Sequence, residues 1–198
     1  MKAGQLLTFG LLSISASIAA TVSVSTLTAI AADAFPKAYD ATYENKNSQG
    51  VIQMRMLSNG KGQTRTETNG MGGMKAITIT DYQNKTTATI LEAQKMIVKG
   101  KVQPGAGAPL DAVEAKKLNA TDLGTKMVNG HMAQGYSYKT KDATTEQWTD
   151  KANQVLVKSI TVAGGLKSEM NIKTYSPNAP ADTSFKIPTS GYKVIANQ

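Results

Sequence analysis

The side chains with the most distinctive chemistry in this sequence are its methionines and its single histidine. A thioether is polarisable, and an unbranched methionine adapts its shape to flexible apolar groups. Eight methionines follow the initiator residue: Met54, Met56, Met71, Met74, Met96, Met127, Met132 and Met170. Met54, Met56, Met96 and Met170 stand at apolar positions of segments that alternate as strands do. These four predict either ordinary core packing or a surface for an apolar ligand.

Two pairs of these residues admit copper chemistry as a further hypothesis. Met71 and Met74 flank two glycines, and His131 immediately precedes Met132. Thioether and imidazole groups both bind Cu(I). The first pair belongs to a glycine-rich loop, and neighbours on a strand point to opposite faces. Copper therefore stays a minor alternative, and we predict no metal site and no cofactor.

Catalysis has little support in the sequence. His131 is the only histidine, and it lies beside a predicted hairpin turn, where a polar side chain is expected to be exposed. A catalytic triad needs a base that is held by a third group, and nothing in the sequence supplies one. The acids are spread over separate elements: Glu92, Asp111, Glu114, Asp122 and Glu146. We predict a protein that is not an enzyme.

The N-terminal residues are typical of a secretory signal peptide. Lys2 is followed by an apolar run and by small residues, with no further charge before Asp33. Ala29-Ile30-Ala31 fits a cleavage site before Ala32, so we expect a signal over 1–31 and one mature domain over 32–198. A retained membrane anchor is the alternative, and the Ser and Thr residues after Leu12 disfavour it. The chain has no cysteine, which excludes disulfides and attachment of lipid to a cysteine. We therefore expect a soluble periplasmic protein.

The positive charge is distributed rather than clustered. The net charge of +8 falls to +7 without Lys2, because 21 basic residues then face 14 acids. Arg55 and Arg65 are the only arginines, whereas nucleic-acid sites favour clustered basic residues rich in arginine. We predict no nucleic-acid partner, possible transient contact with an anionic membrane surface, and a monomer.

Strand signals recur every 8 to 12 residues, which predicts a mainly β fold. Leu166 to Thr174 alternates strictly, with Met170 and Ile172 on the apolar side. Asn129-Gly130 is a strong two-residue hairpin signal. One helix is predicted over 110–118, and at this length it must dock on an apolar surface. The sheet is the obvious partner.

The order of motifs in the second half of the chain resembles a known superfamily. The motifs are Leu123-Gly124-Thr125, Asn129-Gly130, Trp148-Thr149-Asp150, Val155–Lys158 and Phe185-Lys-Ile-Pro188 with Gly191-Tyr192. They resemble an uncharacterised secreted domain family within the LolA-like superfamily of outer-membrane lipoprotein carriers and LppX-like proteins. The resemblance implies a curved antiparallel half-barrel of about ten or eleven strands wrapped around one short helix. It also implies a hollow that receives acyl chains or other apolar groups. The long N-terminal helix of the carriers is missing here.

This resemblance and the alternation together define the predicted site. The sheet residues expected to line the hollow are Ile52, Met54, Met56, Met96, Val98, Met170 and Ile172. Leu110, Val113 and Leu118 are expected to cap it. Arg65 occupies the position of the carrier arginine that latches the lid through helix carbonyls. The predicted function is a non-enzymatic periplasmic binding or carrier protein for a lipid or other amphiphile. The alternative is a structural or envelope-interaction protein with a filled half-barrel and a basic outer face.

Overall fold

A computed structural model describes residues 37–69, 74–102 and 110–196. The predicted signal peptide and Met71 lie outside these ranges. The described residues form one sheet of twelve strands, one α-helix and one 3₁₀ turn. The strands are β1 Tyr39–Asn47, β2 Gly50–Ser58, β3 Gln63–Asn69, β4 Lys75–Asp81, β5 Thr86–Leu91, β6 Met96–Lys101, β7 Thr121–Val128, β8 His131–Lys139, β9 Ala143–Asp150, β10 Leu156–Ala163, β11 Leu166–Ser176 and β12 Lys193–Ala196. The helix α1 is Ala112–Lys117, and the 3₁₀ turn is Asp182–Phe185.

The strand order across the sheet is β12-β6-β5-β4-β3-β2-β1-β11-β10-β9-β8-β7. The mainly β prediction is confirmed, and the sheet is open and curved. The number of strands is larger than predicted by one or two. The additional strand is β12, which pairs with β6 in parallel rather than antiparallel fashion. It is only four residues long, and a segment of that length shows little periodicity.

Pairing register divides the sheet into two faces, because directly opposed residues project to the same side. The "Tyr43 face" carries Tyr43 and its successive partners across β2 to β6. That row is Tyr43, Met54, Thr68, Ala76, Leu91 and Met96. The "Ile77 face" lies on the other side and is named for its buried cluster: Ile77, Ile79, Ala88, Ile90 and Ile97. The molecule thus buries apolar side chains on both sides of one sheet.

The hairpin between β7 and β8 shows how local sequence sets the register. Asn129 and Gly130 have φ values of 51° and 83°. Positive φ at both central residues is the two-residue turn whose twist matches paired strands. The Asn129 amide also donates to the carbonyl of Val157 and to Asn171. The turn therefore closes the hairpin and ties it to β10 and β11.

Two separate segments cover the two faces. Helix α1 packs on Tyr136 and Tyr138, which the register places on the Tyr43 face through Gln147, Ser159 and Met170. The segment between β11 and β12 instead follows the Ile77 face, where Tyr192 packs against the isoleucine cluster. Within the described ranges, no helix is both long and apolar enough to cross a membrane.

Candidate functional site on the Tyr43 face

The seven strand residues predicted to line the hollow all project to one face. Tyr43 pairs with Met54 and Ile172, and Asn45 pairs with Ile52 and Met170. Met56 aligns through Thr66, Thr78 and Thr89 with Val98, and Met54 aligns with Met96. The predicted alternation is therefore right on β2, β6 and β11. Their role as ligand contacts stays a prediction.

Half of this face is closed by the protein's own side chains. Ile52, Met54 and Ile172 are 8, 5 and 6% exposed, and they form one cluster with Tyr39 and Tyr43. Met56 and Met170 pack against its edge. A side chain that lines an open hollow would keep more accessible surface, so this part of the trough is filled. Burial raises the pKa of Tyr43 well above its usual value, so its hydroxyl stays neutral.

Helix α1 covers the β8 end of the same face. Asp111 caps its first turn by accepting from the backbone amides of Val113 and Glu114. Leu110 is buried with Ala115 against Tyr136 and Tyr138, and Leu118 packs at the edge. The prediction that Val113 caps the hollow is wrong, because Val113 is 57% exposed. The helix turns Ala115 inward instead, on the stripe that continues from Leu110 and Leu118.

The other half of the face, over β3 to β6, is only partly covered. Met56, Leu91, Met96 and Val98 are all half-buried. Between them lie threonines, of which Thr78 and Thr89 share a hydrogen bond at 3.1 Å between their hydroxyls. This strip continues directly from the closed cluster through Met54 and Met56. It is the accessible apolar part of the Tyr43 face.

Arg65 latches a cover, but not the predicted one. Its Nη1 donates to the carbonyl oxygen of Ser184 at 2.9 Å, and its Nε bonds Glu67 at 2.7 Å. Arg65 pairs with Ile79, so it projects to the Ile77 face, opposite α1. The prediction of a bond to the 110–118 helix is therefore corrected: the arginine binds the 3₁₀ turn Asp182–Phe185. Sequence alone could not show this contact, because it predicts a single helix over 110–118 and Ser184 is 119 residues from Arg65.

A mixed-charge network occupies the side of β1, β10 and β11 that faces away from Tyr43. Glu44 lies 3.1 Å from Lys46 and 3.6 Å from Lys173. Glu169 lies 3.0 Å from both Lys158 and Lys167. Hydrogen bonds from these lysines, with Asn171, lower the pKa of Glu169 to about 2. Four ammonium groups thus face two carboxylates, which leaves this surface positive.

The single histidine is more enclosed than predicted. His131 Nδ1 lies 2.8 Å from Asp150 Oδ2, and its ring meets the edge of Tyr175 at 6.1 Å between centroids. Asp150 Oδ1 also accepts from the amides of Ala152 and Asn153, so it organises the β9–β10 turn. These contacts hold the His131 ring in place within the fold.

The structure does not arrange His131, Met132 and Met74 as copper ligands. His131 and Met132 are successive residues of β8 and face opposite sides, while the Met74 sulfur accepts from Gln94 at 3.8 Å. Within the described ranges, no three His, Cys, Asp or Glu side chains are grouped to hold a metal ion.

A polar groove of about 450 Å³ lies across β1, β2 and β11. It is lined by Asp40, Thr42, Arg55, Thr174, Tyr175 and Ser176. Arg55 makes a bidentate pair with Asp40, with N–O distances of 2.9 and 2.6 Å. Thr42 and Thr174 hydrogen-bond each other at 2.7 Å. Four of its six lining residues therefore pair with one another, and its polar lining distinguishes this groove from the predicted apolar site.

Sequence reasoning missed the polar residues of the Tyr43 face. Thr145, Gln147 and Thr149 on β9 are buried, as are Ser159 and Thr161 on β10. They alternate with Thr144, Glu146 and Trp148, so a period of two was present in the sequence. Because the buried positions are polar, that period carried no apolar signal.

The predicted half-barrel is confirmed: the fold is one open, curved sheet of twelve strands with one short helix. PNGF-II matches with a TM-score of 0.52 and 14% identity over 81% of this chain and 31% of PNGF-II. The MucA/MucB complex of Pseudomonas aeruginosa matches with a TM-score of 0.50 and 13% identity over 80% of this chain and 58% of that chain. The LolA superfamily protein NE2245 from Nitrosomonas europaea matches with a TM-score of 0.40 and 7% identity over 77% of this chain and 92% of its own.

These similarities describe the fold alone, and this chain spans about a third of PNGF-II. No family model and no curated protein matches the sequence.

Proposed function

We propose that this chain is a non-enzymatic binding protein of the bacterial cell envelope that takes an amphiphilic ligand on the Tyr43 face. The observation that carries the proposal is the continuity of this face. A closed apolar cluster around Tyr43 and Met54 runs into a half-buried strip that ends at Met96 and Val98. An apolar chain bound on the strip can extend into the cluster when the methionines rearrange.

The side chains at the junction suit such a rearrangement. Met54 and Met56 stand on β2, where the closed cluster meets the strip, and Met170 packs against the cluster from β11. Methionine tolerates several packing arrangements. The cover at the far end is one helix of six residues, which is too short to be stable without its contacts. Both features support a ligand site that opens locally rather than a permanently empty cavity.

The proposed location depends on the predicted leader. Residues 1–31 have the pattern of a signal peptide, and a mature domain over 32–198 would then work in the periplasm. We propose a single domain and a protein active as a monomer. No step of chemistry is assigned to it.

The direct test is native mass spectrometry of protein isolated from the periplasm. We expect a fraction of the molecules to carry an additional mass in the range of a lipid. Val98→Trp fills the half-buried strip and should reduce that fraction, whereas Val194→Trp, at a residue that is 53% exposed on β12, should not. Bare polypeptide in the wild-type sample, combined with no uptake of added lysophospholipid, would exclude the proposal.

A second candidate function rests on the positive surface around Glu44 and Glu169. Four lysines there face two acids, so the surface would attract anionic membranes through long-range electrostatics. Such attraction weakens as salt shortens the Debye length. Co-sedimentation with phosphatidylglycerol vesicles should then fall between 20 and 300 mM NaCl and should fall further in Lys158→Gln/Lys167→Gln. Salt-independent binding, or none, would remove this candidate.

A further inference from the structure

Three buried polar atoms lack a hydrogen-bond partner among the described residues: Tyr43 Oη, Gln147 Nε2 and Thr149 Oγ1. Their residues are 1, 2 and 5% exposed, respectively. Buried polar groups in native proteins nearly always have a partner, and each exception requires an explanation, such as an ordered water, an ion, strain or a functional role. Two of the three belong to the same strand.

Gln147 and Thr149 stand side by side on β9. Residues two apart on a strand share a face and lie about 7 Å from each other. Gln147 is opposed by Tyr136 and Ser159, and Tyr136 lies beneath α1. The two side chains are therefore on the Tyr43 face, at the border of the helical cover.

Two pairs of polar residues on this face already hydrogen-bond each other. Thr145 and Thr161 share a hydrogen bond at 3.3 Å between their hydroxyls, and Ser168 bonds Asn45 at 2.8 Å. A general polarity of the face therefore does not account for the unpaired atoms. The shortage of partners is confined on β9 to Gln147 and Thr149, within the part of the chain that the structure describes.

The donors define what could satisfy them. The Gln147 amide offers N–H, and the Thr149 hydroxyl can donate or accept. The residues opposite them, Tyr136, Ser159, Gln134 and Leu156, are uncharged, so an ionised group buried there would have no counter-charge among them. A neutral carbonyl oxygen meets both requirements.

The apolar cluster lies within reach of that position. Ser159 separates Gln147 from Met170 in the register, so Met170 is two strands from Gln147. Two strand spacings are about 10 Å. A carbonyl held at β9 would therefore place an attached acyl chain on Met170 and Ile172, and onward towards Met54.

We propose that Gln147 and Thr149 bind the ester or amide carbonyl at the head of an acyl chain. This inference rests on the proposed function and specifies its ligand as an acyl compound rather than any apolar molecule. Entry requires α1 to lift from Tyr136 and Tyr138. The ligand carbonyl then supplies the partner that both side chains lack.

The experiment compares two ligands that differ by one carbonyl group. 1-Palmitoyl-lysophosphatidylcholine has an ester, and its 1-O-hexadecyl analogue has an ether with the same chain length and head group. Affinities are measured by fluorescence titration below the micellar concentration. We expect the wild type to bind the ester about tenfold more tightly, the effect of one net hydrogen bond. An N-acyl analogue with the same chain and head group distinguishes amide from ester.

The variant Gln147→Met/Thr149→Val replaces both side chains by apolar groups of similar size. It should bind ester and ether equally, through loss of ester affinity, and its melting temperature should be at least that of the wild type. The melting temperature should not fall, because the replaced polar atoms make no hydrogen bond in the folded protein that the substitutions could remove. Thr144→Val, at an exposed position of the same strand, should keep the tenfold preference. Thr149→Val alone serves if the double variant fails to fold.

The outcomes separate this inference from the proposed function. Equal binding of ester and ether by the wild type would overturn the carbonyl site and leave the binding function intact. No binding of either ligand would overturn both. A melting temperature that falls by several degrees in Thr149→Val would show that its hydroxyl has an internal partner, and that result also overturns the carbonyl site.

Discussion

Gly135 offers a quantitative test of the packing around β8 and β9. A Cβ atom added at Gly135 would lie 2.5, 2.6 and 2.7 Å from Cζ3, Cη2 and Cε3 of Trp148. Carbon atoms in contact sit about 3.5–4.0 Å apart, so the indole ring would have to move by about 1 Å. The ring is 2% exposed, and the Lys126 ammonium lies 3.9 Å from its centroid. The ring can make that shift only by displacing the residues packed around it.

Gly135→Ala should therefore destabilise the protein. Overpacking a well-filled site costs about 1–3 kcal/mol, and the lower entropy of an unfolded chain with alanine offsets about 0.4–1 kcal/mol. We expect a net loss of about 1–2 kcal/mol. For a domain of about 150–250 residues this lowers the melting temperature by about 2–8 °C. Thermal unfolding followed by circular dichroism measures the change.

Gly100→Ala is the matched control. Gly100 also lies within a strand, and an added Cβ would meet only Thr87 Cγ2 at an ordinary 3.5 Å. Its melting temperature should stay the same or rise slightly. In a Trp148→Leu background, the cost of Gly135→Ala should largely disappear. The reasoning is refuted if Gly135→Ala is as stable as the wild type, or if both alanine variants lose the same stability.

Three further predictions concern the covers and the charges. Arg65→Leu removes the bond to the Ser184 carbonyl, a charge-assisted contact worth about 1.5–3 kcal/mol. Amide hydrogen exchange over 182–196 should therefore accelerate, while exchange over 112–117 should not change. Faster exchange over 112–117 instead would support the prediction that Arg65 latches the α1 helix. Leu110→Ala should cost about 2–4 kcal/mol because Leu110 is buried, whereas Val113→Ala should change stability by less than about 0.5 kcal/mol; similar losses in urea unfolding would contradict the observed helix face. Glu169 has a lowered pKa of about 2 in the folded protein. Its contribution to the free energy of unfolding is therefore fully present above its unfolded pKa and is lost as pH falls from about 4.5 towards 2. In Glu169→Gln, the free energy of unfolding should depend less on pH between about 4.5 and 2, and its pH dependence near pH 7 should not change. If both proteins unfold identically in acid, the network contributes nothing to stability.

Local patterns in the sequence predicted much of the sheet because each depended on neighbouring residues. The alternation around Met170 and Ile172 gave the correct face, and Asn129-Gly130 gave the correct turn. The bulge at Tyr43, where Lys173 is left without a partner opposite, left no trace in the pattern. Nor did β12, whose pairing depends on β6 about 100 residues earlier.

The site was only partly predictable for a related reason. Alternation predicts to which face of the sheet a side chain projects, but not whether another part of the chain covers it. Met54 and Met96 therefore appeared equivalent, although only Met54 is buried. The side of α1 that is buried is the side that packs on Tyr136 and Tyr138. Those residues lie outside the helix, so its own sequence could not predict that side. Gln147 and Thr149 were overlooked because polar residues at buried positions look like solvent-facing ones.

The central claim is that ligand binds on the Tyr43 face, and the methionines themselves can report on it. In protein labelled at methionine methyl groups, titration with 1-palmitoyl-lysophosphatidylcholine should shift the NMR signals of Met54, Met56 and Met170. The signals of Met127 and Met132, which are 59 and 51% exposed, should stay in place. Shifts confined to Met127 and Met132, or no shift at saturating ligand, would contradict the account.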